Sequence, residues 1–242
     1  MLAQGNLPDA LVSFHDSLAI AELLAKADPG NAARQRDLSV SYNEVGEVQI
    51  AQGNPAEALA SFRNGLAIRD RLARSDPGHA GWQRDLTISY EKIGDALVAQ
   101  ADLPGALASY RDGLAIAERL ARTDPGNVDW QRNLSISYNK IGDILVAQGN
   151  LPEALDSYGN DLAIAERLAN SDRGNAGWQR DLAISHAKLA ATLQGQDRKQ
   201  DARQHIEAGR AIMASLVARF PDWAQWKKDL AWFDAQLARL DQ

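Results

Sequence analysis

The sequence predicts an all-α chain of stacked antiparallel helix pairs, and three observations predict it. The first is internal repetition. The segment from Asp76 to Leu86, Asp-Pro-Gly-His-Ala-Gly-Trp-Gln-Arg-Asp-Leu, returns from Asp124 to Leu134 and from Asp172 to Leu182, with a looser copy from Asp28 to Leu38. Trp82, Trp130, Trp178 and Trp226 stand 48 residues apart, a period that marks a stack of similar units. The second is helical spacing of apolar residues between these markers: Trp82, Leu86, Tyr90, Ile93 and Leu97 share one stripe, as do Leu107, Tyr110, Leu114 and Leu120. The third is that all 8 prolines fall at seams. None interrupts a helix interior.

Each unit parses into an A helix, opened by Trp-Gln-Arg-Asp-Leu or its equivalent, and a B helix, opened by a proline. Residues 1–30 hold the tail of an A helix, since Met1 to Gln4 align with Gln49 to Gln52, and a B helix started near Pro8. Units 31–78, 79–126 and 127–174 are complete, with Pro55, Pro104 and Pro152 in the first turn of each B helix. Unit 175–221 has no such proline, and 222–242 is one more A helix, a closing cap. Asn54 with Glu57, Asn150 with Glu153, and Asp197 with Gln200 have the three-residue separation of a capping box. Helices of about 20 residues are about 30 Å long, and short loops between them make neighbours antiparallel. The expectation is one repeat domain over 1–242, belonging to a longer chain.

Composition narrows the function. A charge of −6, from 26 basic and 32 acidic residues, disfavours a binder of nucleic-acid phosphates. No membrane span is apparent, and no disulfide, thiolate metal site or cysteine nucleophile exists in a chain with 0 Cys. Met1 to Leu11 has no basic, then apolar, secretory pattern, so a cytoplasmic location is expected.

Small residues identify the stack. Gly46, Gly94 and Gly142 sit mid-helix, where glycine costs about 1 kcal/mol relative to alanine, so close approach of a partner helix is the expected reason. Twelve residues on come Ala58, Ala106 and Ala154, then Phe62, Tyr110 and Tyr158, then Gly65 and Gly113. This order of aromatic, apolar and glycine, then alanine, aromatic and small residue, resembles the tetratricopeptide repeat. It is most similar to a long-helix bacterial version with an Asp-Pro-Gly-Asn junction. HEAT and armadillo units share the period but not this spacing. The last unit departs from it, with Ala190, His186 and Ile206 at the glycine and aromatic positions. The resemblance implies a right-handed α-solenoid of about four and a half repeats plus a C-terminal capping helix.

No catalytic motif is present, so no enzyme activity and no cofactor or metal is expected. The four histidines, His15, His79, His186 and His205, occupy different repeat phases. The loop from Asp124 has Ser135 where a calcium loop needs a bidentate glutamate, and is read as a turn. The phased tryptophans are read as packing between repeats. Arg36-Asp37, Arg84-Asp85 and Arg180-Asp181 are read as ion pairs between neighbouring units, worth about 0–1 kcal/mol each where exposed.

In the family the A helices line a concave face, and the residues after the aromatic and after the glycine point into it. By resemblance these are Asn43, Glu91, Asn139 and Ala187, then Glu47, Asp95, Asp143 and Ala191, with Lys92, Lys140 and Lys188 alongside. The expected site is Asn43, Glu47, Glu91, Asp95, Asn139 and Asp143, binding a protein or extended, basic peptide: the amides clamp its backbone and the carboxylates select its cations. Two other functions stay open, self-assembly through an N-terminal edge exposing Leu11, Phe14 and Leu18, and service as the regulatory arm of a larger signalling enzyme.

Overall fold

The computed structural model describes residues 7–241; Met1 to Gln4, aligned above with an A-helix tail, lie outside them. Ten helices appear among the described residues, with no strand: α1 (Leu7–Ala27), α2 (Ala32–Ala51), α3 (Pro55–Ser75), α4 (Ala80–Ala99), α5 (Leu103–Thr123), α6 (Val128–Ala147), α7 (Leu151–Ser171), α8 (Ala176–Gly195), α9 (Lys199–Arg219) and α10 (Ala224–Leu240). Odd-numbered helices are B helices and even-numbered ones A helices. No described helix is long and apolar enough to cross a membrane. The chain forms two compact units, one closing at Thr123 and one opening at Asp124. In the first, α1 to α5 pack each on the next; α6 to α10 do so in the second.

Local chemistry sets the helix ends. Asn31, Asn127 and Asn175, and His79 in the second copy, accept from the backbone N–H three residues on at 3.2 Å, which satisfies an otherwise orphaned donor. Just before these caps, Asp76, Asp124 and Asp172 accept from the N–H two residues on at 3.0, 3.2 and 2.8 Å, so the Asp-Pro-Gly junction is a turn. Of the expected capping boxes only Asn150 with Glu153 forms: its oxygen faces the Glu153 N–H at 3.5 Å and its amide donates to Glu153 Oε2 at 2.7 Å. Asn54 makes no side-chain cap bond. Asp197 is not a cap at all, since its φ of 59° makes it the left-handed residue that ends the A-helix turn and leaves Arg198 as the N-cap. Gly53, Ala101, Gly149 and Asp197 all take this conformation, with φ of 82°, 60°, 77° and 59°, at the same repeat phase. Only glycine adopts it without steric cost.

The predicted stripes form the core. Leu86, Ile93 and Leu97 of α4 and Leu107, Tyr110 and Leu120 of α5 are all at most 8% exposed. The mid-helix glycines set how closely A and B helices pair. A Cβ on Gly46 would lie 2.5 Å from the Phe62 ring, and one on Gly94 or Gly142 would press closer still into Tyr110 or Tyr158. Where the last pair carries Ala190, the aromatic has become Ile206, and both are fully buried. The tryptophans are less uniform than expected: Trp226 is buried in a cluster with Ile206, Met213 and Phe233, while Trp82 is half-buried and stacked on its cap His79 at 4.2 Å. On α1, Leu11, Phe14 and Leu18 are half-buried; the exposed apolar residues are Val12, Ile20, Leu23 and Leu24.

Two stability changes are expected. Gly94→Leu forces a branched side chain into the Tyr110 ring and lowers stability by about 1–3 kcal/mol or more, read as a fall in the thermal midpoint. Ala101→Gly relieves the left-handed strain and raises stability by about 1 kcal/mol, read by urea unfolding.

Candidate functional site

Each unit contains one buried charge that breaks the repeat, enclosed by the same three polar side chains. In the first unit it is Arg69, where α5, α7 and α9 carry Ala117, Ala165 and Met213. Only 4% exposed, Arg69 donates from Nε to Ser39 Oγ at 3.0 Å and from Nη1 to Ser89 Oγ at 3.0 Å and the Asp85 carbonyl at 2.9 Å. With its amide oxygen turned toward the guanidinium, Asn43 accepts from Nη1 and Nη2 at 2.9 and 3.0 Å. Burial lowers the Arg69 pKa, and the Asp85 charge opposes that shift. Arg36 holds the Asp85 carboxylate at 2.5 and 3.3 Å and has its own pKa raised by that hydrogen bond. The Arg-Asp dipeptides therefore pair between neighbouring A helices, as Arg180 and Asp229 also do at 2.8 Å.

The second unit has the same enclosure with the charge reversed. Asp161 stands on α7 at the phase of Gly65, Gly113 and Gly209, and it is fully buried. Ser135 and Ser185, in phase with Ser39 and Ser89, now donate to its two carboxylate oxygens, Ser185 at 2.7 Å. Asn139, in phase with Asn43, donates as well. Hydroxyl and amide groups both donate and accept, so one enclosure serves a cation and an anion. Burial raises the Asp161 pKa; the three hydrogen bonds and the nearby Lys188 charge counter it.

Asp161 lies at the floor of a cleft of about 350 Å³ bounded by α6 and α8, with Arg132, Lys140, Asp143, Asp181 and Lys188 around it. One polar atom in this wall is unsatisfied: Asn139 Oδ1 is buried with no hydrogen-bond partner among the described residues. Such an acceptor costs about 1–3 kcal/mol until a donor reaches it.

The expected site residues divide accordingly. Asn139 and Asp143 meet at the cleft. Asp143 accepts from Tyr158 Oη at 2.6 Å and from Lys188 Nζ at 2.7 and 2.8 Å, and burial followed by the Asp143 bond raises the Tyr158 pKa. In the first unit Glu47 is exposed and paired with Lys92 at 2.7 Å. Asp95 accepts from Tyr110 Oη at 2.6 Å, and Glu91 is half-buried on α4. Asn43 is corrected: it is 6% exposed and turned onto Arg69, because that guanidinium needs its oxygen. The spacing did not anticipate Asp161, although its departure from glycine at that phase was visible. Nor did repeat phase foretell the meeting of His186 and His205, whose Nδ1 atoms are 3.0 Å apart between α8 and α9.

Residues 135–173 match the family model of the tetratricopeptide repeat. Among solved structures, BtubC (BKLC) from P. vanneervenii superposes with a TM-score of 0.66 at 16% identity, over 98% of this chain and 90% of that one. A putative kinesin light chain with nearly identical TPR-like repeats, from Podosopora anserina, gives 0.65 at 17% identity, over 88% and 90%. The apo form of RapI gives 0.64 at 12% identity, over 88% of this chain and 66% of that one. No curated protein matches the sequence.

The histidine pair generates a pH dependence. Burial, then the neighbouring His205, lowers the His186 pKa from 6.5 to about 4; burial lowers that of His205 too, against the pull of Asp201 and Glu166. The folded state thus favours the neutral rings, so stability is full above pH 6.5 and falls as pH drops toward 4, by roughly 1–3 kcal/mol for His186 allowing for its partial exposure. Urea midpoints at pH 7 and pH 5 should differ less in His186→Tyr, which restores the residue of the other repeats. An unchanged difference would exclude this origin.

Its helix pairs, 48-residue period and glycine–aromatic contacts give the chain a tetratricopeptide-like, all-α repeat fold.

Proposed function

We propose that the chain binds a protein or extended peptide along the outward faces of its A helices and carries out no chemistry. The observation that carries the reading is the Asn139 acceptor in the cleft between α6 and α8. An extended peptide offers a backbone N–H at every second residue on one side, and one such donor satisfies Oδ1 once a shift of the cleft wall uncovers that atom, which is buried in the free chain. A basic side chain of the same peptide then lies beside Asp143. Lys188 already occupies that carboxylate, but an exposed pair is worth only about 0–1 kcal/mol, so an arginine that binds both oxygens in a fork displaces it at small cost. In the first unit Glu47 and Lys92 offer the same exchange, and Asp95 and Glu91 extend the acidic face.

Displacement of one cation by another makes the complex salt-sensitive. On a peptide array, basic peptides should bind the wild type and lose at least about ten-fold affinity to Asn139→Ala, the value of one hydrogen bond to a buried group. Asp143→Asn should weaken association most at low salt. Equal binding by wild type and Asn139→Ala, or a preference for acidic peptides, would remove the proposal.

A further inference from the structure

The first and last described helices each pack on one neighbour only. Among the described residues, α1 is a B helix packed on α2 with no A helix before it, and α10 is an A helix packed on α9 with no B helix after it. Within the stack, A and B helices meet through one repeated interface, and its effect on burial can be read by phase. Ile68 and Leu72 of α3 are 5% and 7% exposed, and Ile164 and Leu168 of α7 are 4% and 8%. Their equivalents on α1, Ile20 and Leu24, are 59% and 48% exposed, beside Val12 at 61% and Leu23 at 69%. Ile20 and Leu24 therefore lack a cover that their equivalents have, and Val12 and Leu23, at phases exposed in the internal units as well, enlarge an apolar patch of the kind that marks an interaction surface.

The missing cover has a defined shape. In the first unit Pro29, Gly30, Ala32 and Gln35, the junction and first turn of the A helix, line a crevice with Ile68 and Leu72. The same phase before and within α10 holds Pro221, Asp222, Ala224 and Lys227, with Trp223 beside them 57% exposed. A second register agrees. In the internal pairs an arginine of the B helix donates to a glutamine of its A helix, Arg119 to Gln83 and Arg167 to Gln131. Leu23 occupies the arginine phase on α1 and Lys227 the glutamine phase on α10. Both members of the polar pair are therefore replaced, and the replacements suit each other, because a lysine lays its methylene stem over apolar surface and keeps its charge in water. Charge agrees in sign: α1 carries Asp9, Asp16 and Glu22 against Lys26, whereas α10 carries Lys227, Lys228 and Arg239 against Asp229 and Asp234.

We propose that the occupant of the open α1 face is α10 of a second copy of this chain, docked head to tail so that the two helices complete one more A–B pair. The two surfaces differ, so the contact is heterologous and association does not stop at two. This interface is separate from the cleft at Asn139.

Sedimentation velocity across the micromolar range tests it. The wild type should reach a weight-average mass above that of a dimer as concentration rises. Ile20→Asp and Lys227→Glu each block one face, at positions exposed in the free chain where helical circular dichroism should be unchanged, and each alone should associate at least about ten-fold more weakly, from burial of an unpaired carboxylate. Mixed in equal amounts they should form a dimer and nothing larger, since one intact α10 face and one intact α1 face remain between them. A wild type that stays monomeric throughout overturns the proposal. So does a dimer that Lys227→Glu leaves intact, which would mean that α1 pairs with itself. Peptide binding by Asn139 should be the same in both variants, which keeps the two proposals apart.

Discussion

The contact between a mid-helix glycine and the aromatic ring of the following helix governs the rest of the structure. Without a Cβ at Gly46, Gly94 and Gly142, the rings of Phe62, Tyr110 and Tyr158 lie against the A-helix backbone, and that distance fixes how the two helices pair. The helix-propensity cost of each glycine, about 1 kcal/mol, is offset by burial of a ring that is at most 4% exposed. The contact also reaches the outer face. A tyrosine seated in this way carries its hydroxyl past the glycine to the next residue, so Tyr110 donates to Asp95 and Tyr158 to Asp143, both at 2.6 Å. Packing and presentation of the carboxylate are thus one device. Phe62 lacks the hydroxyl, and there the carboxylate is Glu47, held by Lys92 instead.

The buried charges follow a second logic. An isolated ion in a protein interior is expensive, and removal of its partners typically costs about 3–5 kcal/mol. Arg69 and Asp161 are tolerated because each is enclosed by two serine hydroxyls and an asparagine amide. The enclosure consumes the asparagine differently in the two units. Arg69 takes the oxygen of Asn43 and leaves its amide N–H groups, on a side chain only 6% exposed. Asp161 takes the amide hydrogen of Asn139 and leaves the oxygen unsatisfied. Which end of an amide remains available is decided by the sign of one residue on the helix behind it.

Most of the fold was legible because it rests on period and on residue size. The 48-residue spacing, the proline seams and the apolar stripes depend on local sequence, and the glycine positions implied the close contact that the structure contains. The cleft was legible only in part. Asn139 and Asp143 followed from the family resemblance, while Asn43 sits at the same phase and is buried, since family phase gives the direction of a side chain and not what stands behind it. Arg69 and Asp161 decide that, and both are visible in the sequence as departures from the small or uncharged residues that the other repeats carry. Asp197 was misread as a cap because an acceptor three residues before a glutamine also occurs where the chain turns left-handed. The histidine pair was missed because phases differ along one helix but converge across two, at α8 and α9.

Two of the carboxylates on the outward faces of the A helices are neutralised within their own units. Glu47 is matched by Lys92 and Asp143 by Lys188, each lysine coming from the next A helix in the same unit. Such a pair does not attract a ligand by net field at long range, because opposite charges a few ångströms apart cancel well within the Debye length of about 8 Å. Recognition must therefore be decided at contact, by a group that replaces the lysine at a carboxylate or satisfies an amide that nothing else reaches. Long-range attraction would favour any cation, whereas exchange at contact favours a fork over a point charge, as carboxylates prefer arginine to lysine. The same balance keeps neighbouring A helices from repelling one another, so the arrangement that stabilises the stack also sets the terms on which a partner can bind it.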